Sequence, residues 1–311
     1  MGLTRRPYTS PADYEHIRRL LQHTYAHSGP PVYATVGDID WWRWGPGASP
    51  GETYHAQLWW DEHHELAAIL WPETSWGQDM QVDLLVRPTY RGIEDEMLAW
   101  AEAQQRAAST GTSLRLTTWA FTRDAVRTAL FRKRGYTRTD EGLVYMSRSL
   151  EQPPPQRILP PGYSIRSVRA DEDIIQRVAV HRAAFAPSQI SEDGYSLLVR
   201  EASTYRANLD LVVVAPDGSF AAFCLIWLDT ANALGVFEPV GCHPGHQRRG
   251  LTRAVIEEGL RRLHDLGARA ASLNSHRGDE AATRLYASTG FQEIDCMETW
   301  QKVVSKNSFH G

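Results

Sequence analysis

The chain repeats itself once. "DAVRTALFRKRGYTR" (124–138) and "DEAATRLYASTGFQE" (279–293) follow one plan: an aspartate placed to cap a short helix, a leucine, a closing glycine, and an aromatic residue entering a strand. Leu130/Leu285, Gly135/Gly290 and Tyr136/Phe291 all stand 155 residues apart. Upstream, "VDLLVRPTYRGIEDEMLAWAEAQ" parallels "EPVGCHPGHQRRGLTRAVIEEGL": a strand, a proline, an Arg-Gly turn and a long amphipathic helix. A period this long implies duplicated domains rather than a solenoid. "EQPPPQRILPPG" lies between the copies, and its prolines continue neither a helix nor a central strand. It reads as a linker over 151–162, with domains over 1–150 and 163–311. At 311 residues there is room for two cores.

Each half opens on a helix ("PADYEHIRRLLQHTYA"; "DEDIIQRVAVHRAAF") and continues through two strands before the Arg-Gly turn. A helix, a strand, a short helix and a last strand follow, the last in the second half being "CMETWQKVV". That order predicts α/β or α+β halves. A net charge of −4 excludes a global field drawing the protein to nucleic acid or an anionic membrane. The apolar runs are too short to cross a bilayer, and "MGLTRRPYTSPADYEH" lacks the apolar stretch of a signal peptide. Three scattered cysteines (Cys224, Cys242, Cys296) form neither a metal-ligand cluster nor a disulfide framework, so a reducing cytoplasm and no metal are expected.

The most informative stretch is "HPGHQRRGLTRAVIEEGL" (243–260). Gly245 and Gly250 permit unusual backbone, Arg248 and Arg249 add cationic donors, and a helix starts near Leu251 with Val255, Ile256, Leu260 and Leu263 on its buried face. The first N–H groups of a helix lack intrahelical acceptors and carry partial positive charge, which suits a phosphate or pyrophosphate. Neither a P-loop nor the three-glycine dinucleotide pattern is present. Gln247-Arg248-Arg249-Gly250-Leu251-Thr252 resembles motif A of the GCN5-related N-acetyltransferase (GNAT) superfamily, Gln/Arg-x-x-Gly-x-Gly/Ala, and departs from it at Thr252. "RLYASTGF" (284–291) resembles GNAT motif B, and "FEPVGCHP" and "LDLVVVAPDGSFAAFC" resemble the central strands of a tandem-GNAT group. The resemblance covers 163–303 well and 1–148 faintly.

It implies two tandem GNAT domains, each a mixed, largely antiparallel sheet flanked by helices. It further implies an acetyl-CoA-dependent N-acetyltransferase acting on the primary amine of a small molecule in a ternary complex, as a monomer or homodimer. Val240, Gly241 and Cys242 would offer backbone groups to the pantetheine. Gln247, Arg248, Arg249, Gly250, Leu251, Thr252 and Arg253 would seat the pyrophosphate, with Asn274 touching substrate or cofactor. Tyr286 matches the family's motif B acid, which protonates the departing thiolate, unless it merely packs beside Leu285. Glu238, two residues before Val240 and so expected on its face, is either the base or a rim carboxylate that orients the amine. Asp279 reads as a helix cap. His243, His246 and His276 sit in or beside polar loops, and Cys242 has no partners for nucleophilic catalysis.

The first half has lost these features. From proline to glycine its turn, Pro88 to Gly92, is two residues shorter than Pro244 to Gly250, and Glu94, Asp95 and Glu96 follow in the first helical turn. Phe131 stands where Tyr286 does. The half is expected to be a degenerate scaffold that binds no acetyl-CoA. Nine of eleven tryptophans precede residue 120, which predicts a Trp-rich core. Alternatively Trp41, Trp42 and Trp44 lie on a surface loop and line an acceptor pocket, with Asp38 and Asp40 attracting a cationic amine. "DEHHE" has adjacent histidines and reads as a polar turn between strands. Two rival functions stay open: an acyl-CoA-binding sensor without catalysis, and nucleic-acid contact through Arg248 and Arg249.

Overall fold

The computed structural model describes residues 2–45, 55–73, 76–109, 113–152, 154 and 157–305. Residues 153, 155 and 156 of the proline-rich stretch lie outside the described residues, as do 46 and 47 of the Trp-rich segment. Two compact units emerge: Met1–Ala34, Thr53–Tyr145 and Ile294–Gly311 form one, and Thr35–Glu52 with Met146–Glu293 the other. Relative to halves at 1–150 and 163–311, the units exchange segments. Residues 35–52 join the second, and 294–311 join the first.

In chain order the elements begin with β1 (Thr4–Pro7), α1 (Pro11–Ser28) and α2 (Val36–Trp44), the last in the second unit. The first unit resumes with β2 (Gln57–Trp60), β3 (Leu66–Pro72), β4 (Met80–Val86), α3 (Glu94–Ala108), β5 (Leu114–Phe121), α4 (Ala125–Lys133) and β6 (Thr137–Ser149). The second holds β7 (Ser164–Ser167), α5 (Ala170–Ala184), α6 (Glu192–Glu201), β8 (Asp210–Val214), β9 (Phe220–Asp229), β10 (Leu234–Cys242), α7 (Leu251–Asp265), β11 (Ala270–His276) and α8 (Glu280–Ser288). The last strand is β12 (Gln292–Val304).

The first unit's strands run β1-β2-β3-β4-β5-β12-β6, antiparallel from β1 to β4, with β4 and β5 parallel. The second unit repeats the scheme in β7-β8-β9-β10-β11, where β10 and β11 are the parallel pair. Each is the mixed, largely antiparallel sheet with flanking helices that the sequence predicted.

The last strand departs from expectation. Instead of closing the second half it pairs with β5, from Met297↔Phe121 to Val304↔Leu114. Its side chains explain the choice: Trp300 and Val304 complete the core around Phe131 and Tyr136, and Met297 packs with Val32, Phe121 and Tyr145. The tryptophan prediction holds here too, since Trp59, Trp60 and Trp71 are buried.

The duplication is written into local chemistry. Asp124 and Asp279 cap α4 and α8, accepting from Arg127 N at 3.1 Å and Ala282 N at 2.9 Å. A further correspondence escaped the sequence comparison because its offset is 160 residues, from Asp13 to Asp173. Asp13 in the first turn of α1 is gripped by Arg6 of β1 at 2.9 Å, and Asp173 of α5 by Arg166 of β7 at 3.0 Å. Burial alone would raise both carboxyls, but the arginines and nearby backbone N–H groups outweigh it and hold each at about 2.

Candidate active site

The site is built where a sheet opens. The parallel register of β10 and β11 covers Leu234–Val236 against Ala270–Ser272, and residues 237–242 and 273–276 continue beyond it. On its other side β10 pairs with β9, Phe237 opposite Ile226 but Val240 opposite Cys224, so one extra residue bulges between them. Cross-strand partners share a face, so Phe237, Val240 and Cys242 point the same way. That corrects the two-residue spacing argument: the bulge takes Glu238 out of phase with Val240 and Cys242. The shared face belongs to α7, where a Cβ on Gly259 would lie 2.4 Å from Ile226 and 2.9 Å from Phe237.

Glu238 turns instead toward α2. Its backbone carbonyl accepts from Trp227 Nε1 at 2.7 Å, and its carboxyl lies near enough to Asp38 to feel that residue's charge. The "TVGD" segment explains how Asp38 gets there. Thr35 caps α2, and Asp38 Oδ2 accepts from Thr35 N at 2.5 Å and Thr35 Oγ1 at 2.6 Å, a reciprocal capping box. Gly37 lets the helix approach closely, since a Cβ there would fall 2.3 Å from Trp227 Cβ. Trp41, Trp42 and Trp44 therefore sit on a helix, not on the surface loop considered above. The Thr-x-x-Asp pattern was the overlooked sequence signal. Burial first, and then the charge of Asp38, push the Glu238 carboxyl well above the usual carboxylate range.

Tyr286 on α8 is buried, and burial, then Asp279, Cys224 and Glu238, push its hydroxyl up to about 12. Glu238 and Tyr286 are thus close enough to feel each other's charge. Tyr286 stays protonated at neutral pH, as an acid must.

The loop after β10 is exposed and open. It makes a 3-10 turn at Pro244–His246, then reaches Gly250, whose φ of 75° is left-handed and which gives α7 no side-chain cap. Ala254 N bonds to Gly250 O, which leaves the N–H groups of Leu251, Thr252 and Arg253 without an intrahelical acceptor. Arg249 donates to Tyr163 Oη at 3.0 Å, and Tyr163 meets His246 Nδ1 at 3.0 Å, fixing the loop's flank. Arg248 is exposed and makes no ion pair among the described residues. These free donors fit a pyrophosphate.

Other expected site residues fall elsewhere. Arg253 is drawn down the helix to Glu257 at 2.9 Å, away from the open N–H groups. Thr252 lies beside the Cys242 thiol, whose pKa is raised by burial and lowered by Thr252, and Cys242 Sγ donates to His243 O at 3.6 Å. Gly241 packs on Phe223, Gln247 is exposed, and Asn274 is exposed on β11 past the paired register. Asp40 is fully buried and accepts from Thr204 N at 2.8 Å and from Thr204 Oγ1, so its carboxylate is committed within the fold and not to an amine. Trp41, half-buried, packs on Val178, Ile190 and Tyr195 with its ring 6.1 Å from His181, and Trp42 is half-buried.

The first unit builds its counterpart differently. There a 3-10 helix, Pro88–Ile93, runs into α3 without a break, and Glu94 N bonds back to Arg91 O. Glu94 is buried and accepts from Arg127 Nη2 at 2.9 Å and from Arg91. Burial would raise its pKa, but Arg127 and Arg91 outweigh that and lower it. Phe131 is core, against Tyr136 and Trp300. Among the described residues no group of three or more His, Cys, Asp or Glu could hold a metal, and no helix is long and apolar enough to cross a membrane.

Comparison with known proteins addresses the family of the chain. The profile of the acetyltransferase (GNAT) family matches residues 176–291. A mycothiol acetyltransferase of Kineococcus radiotolerans is 30% identical over 220 residues, covering 69% of this chain and 70% of that one. One from Sanguibacter keddieii is 29% identical, and the chain spans about half of that relative's length, 48%. Among solved structures, a tandem GNAT protein from the clavulanic acid biosynthesis pathway superposes with a TM-score of 0.72 at 17% identity, covering 97% of this chain and 99% of that one.

Proposed function

Because the chain belongs to the acetyltransferase (GNAT) family, as a tandem GNAT acetyltransferase, we propose that its second unit transfers an acetyl group from acetyl-CoA to the primary amine of a small molecule, by direct attack in a ternary complex. The observation that carries this reading is the uncapped start of α7, with Arg248 unpaired, following a strand whose parallel register with β11 ends at Val236. Its first unit acts as a scaffold. The relatives' name, mycothiol acetyltransferase, supports a small-molecule acceptor.

The residues divide the work as follows. The N–H groups of Leu251, Thr252 and Arg253, with Arg248, hold the pyrophosphate. Acetyl-CoA, when bound, supplies the acetyl thioester and a coenzyme thiolate as leaving group. Glu238 takes the proton of the attacking nitrogen, and its raised pKa makes it a stronger base once ionised. Tyr286 Oη, held protonated by burial, gives its proton to the leaving sulfur and regains one from solvent. Backbone N–H groups of β10 near Cys242 polarise the carbonyl.

A thiol-release assay over small amines, aminoglycosides and peptides tests the reading. Turnover is expected with at least one small amine, with Glu238→Gln and Tyr286→Phe each lowering kcat by about 100-fold or more. Acetyl-CoA binding with no turnover across the panel would instead identify a sensor. With Glu238 raised, the base form is lost as pH falls through that raised value. The rate should therefore climb with pH above the ordinary carboxylate range.

A further inference from the structure

The first unit carries a concavity that a scaffold does not need. A groove of about 550 Å³ opens at the end of its sheet where the parallel strands β4 and β5 begin, away from the turn at Pro88–Ile93. Every residue that lines it belongs to that unit, and its volume is that of a small-molecule site. β5 and β12 form the floor, with Gln301 opposite Thr117 and Thr299 opposite Trp119. Trp300 turns into the core against Phe131, so Thr299 and Gln301 on either side of it turn the other way, into the groove. Thr299 is only 3% exposed, and its hydroxyl has no hydrogen-bond partner. Such a hydroxyl costs stability until something supplies a partner.

The two rims of the groove are acidic. Glu73, just after β3, stands at one, and Asp140 and Glu141 of β6 stand at the other. None of the three carboxylates makes an ion pair among the described residues. Arg115 is the groove's one cation among those residues, and Asp79 already holds it at 2.8 Å. Four carboxylates therefore surround one guanidinium. The strand order places four steps between the rims, β3-β4-β5-β12-β6, roughly 19 Å along the sheet at about 4.8 Å a step. The negative charge is thus divided between two ends, with neutral hydroxyl and amide groups between them. It does not converge as a metal site would.

We propose that this groove binds a linear aliphatic polyamine, with an ammonium at each acidic rim and the chain between them along the floor. An ammonium is a compact charge with three donors, which suits both the carboxylates and the oxygens of the floor. An inner amine donates to Thr299 Oγ1 and gives that hydroxyl the partner it lacks, while methylenes lie on Met80. A short diamine reaches one rim and leaves the other unpaired. A neutral polyol matches the floor but neither rim, and an anion is repelled by both. The floor exists because β12, the last strand of the sequence, pairs with β5 of the first unit.

Calorimetry on the full chain with spermine should find a site that weakens with added salt. Putrescine should bind it about tenfold more weakly or worse, for want of the second rim. Glu73→Gln, and Asp140→Asn with Glu141→Gln, should each lower spermine affinity by about tenfold or more. Thr299→Val keeps the shape and removes the unpartnered hydroxyl. It should lower spermine affinity about threefold or more, while the free chain unfolds at no lower temperature. Acetyl transfer to the fastest amine of the panel should be unchanged in all these variants, which separates the groove from the transfer site of the second unit. Spermine binding that survives both rim changes lies elsewhere and overturns the inference. Equal affinity for spermine and putrescine, or several equivalents bound per chain, would mean charge attraction alone and overturn it as well.

Discussion

After β10 the chain makes one 3-10 turn, breaks at Gly250 and starts α7 with open N–H groups. After β4 it runs from a 3-10 helix directly into α3, and Glu94 lies buried at that start between Arg91 and Arg127. Both helix N-termini favour negative charge. One leaves that charge to be supplied from outside, and the other has built it in. A duplicated fold can therefore keep its sheet, helices and caps while a single carboxylate fills the place where a ligand's anion would bind.

The largest effect should come from giving the open turn an anion of its own. Arg248→Glu with Gly250→Glu should weaken acetyl-CoA binding roughly 100-fold or more, by loss of charged hydrogen bonds and by repulsion. Calorimetry on the unaltered chain should find one site. Two equivalent sites would break the comparison. Next, Glu94→Gln leaves Arg127 buried without its carboxylate and should cost about 3–5 kcal/mol in denaturant unfolding. The Glu94 pKa is depressed in the fold, so its contribution is complete above its unfolded value of about 4.3 and disappears as pH falls through the folded value. Glu94→Gln should therefore cost little in acid, and a cost that does not vary with pH would show that the carboxylate's charge is not what closes the turn.

Gly37→Ala should destabilise by about 1–3 kcal/mol, because its Cβ would clash with Trp227. Transfer should fall while acetyl-CoA binding is kept. Loss of binding would show that α2 supports the loop as well as Glu238. The smallest effect is expected at Thr252→Ala, a change in acetyl-CoA affinity of less than about tenfold, since Thr252 lies beside Cys242 and the neighbouring backbone N–H groups remain. A larger loss would make Thr252 a phosphate donor.

The legible features were local ones. Helix caps at Asp124 and Asp279, the apolar face of α7, the order of strands and helices along the chain and the Gly250 break follow from nearest-neighbour chemistry, and the repeat displays the caps twice. The face of Glu238 was misjudged because a bulge changes side-chain parity without marking the sequence. Asp38 and Asp40 read alike in the sequence, as attractors of an amine, whereas the fold commits Asp40 to Thr204 and brings Asp38 near enough for its charge to reach Glu238. Helical phase, visible only once "TVGD" is read as a cap, separates their roles.

The sequence by itself determined the duplication, the tandem fold and which copy breaks at a glycine before its long helix, because these depend on residue types at short spacing. Tertiary structure alone decided that β12 completes the first unit and that α2 belongs to the second. Those outcomes turn on long-range burial, of Trp300 and Val304 in one core and of Gly37 against Trp227 in the other, and such pairings leave no periodic trace along the chain.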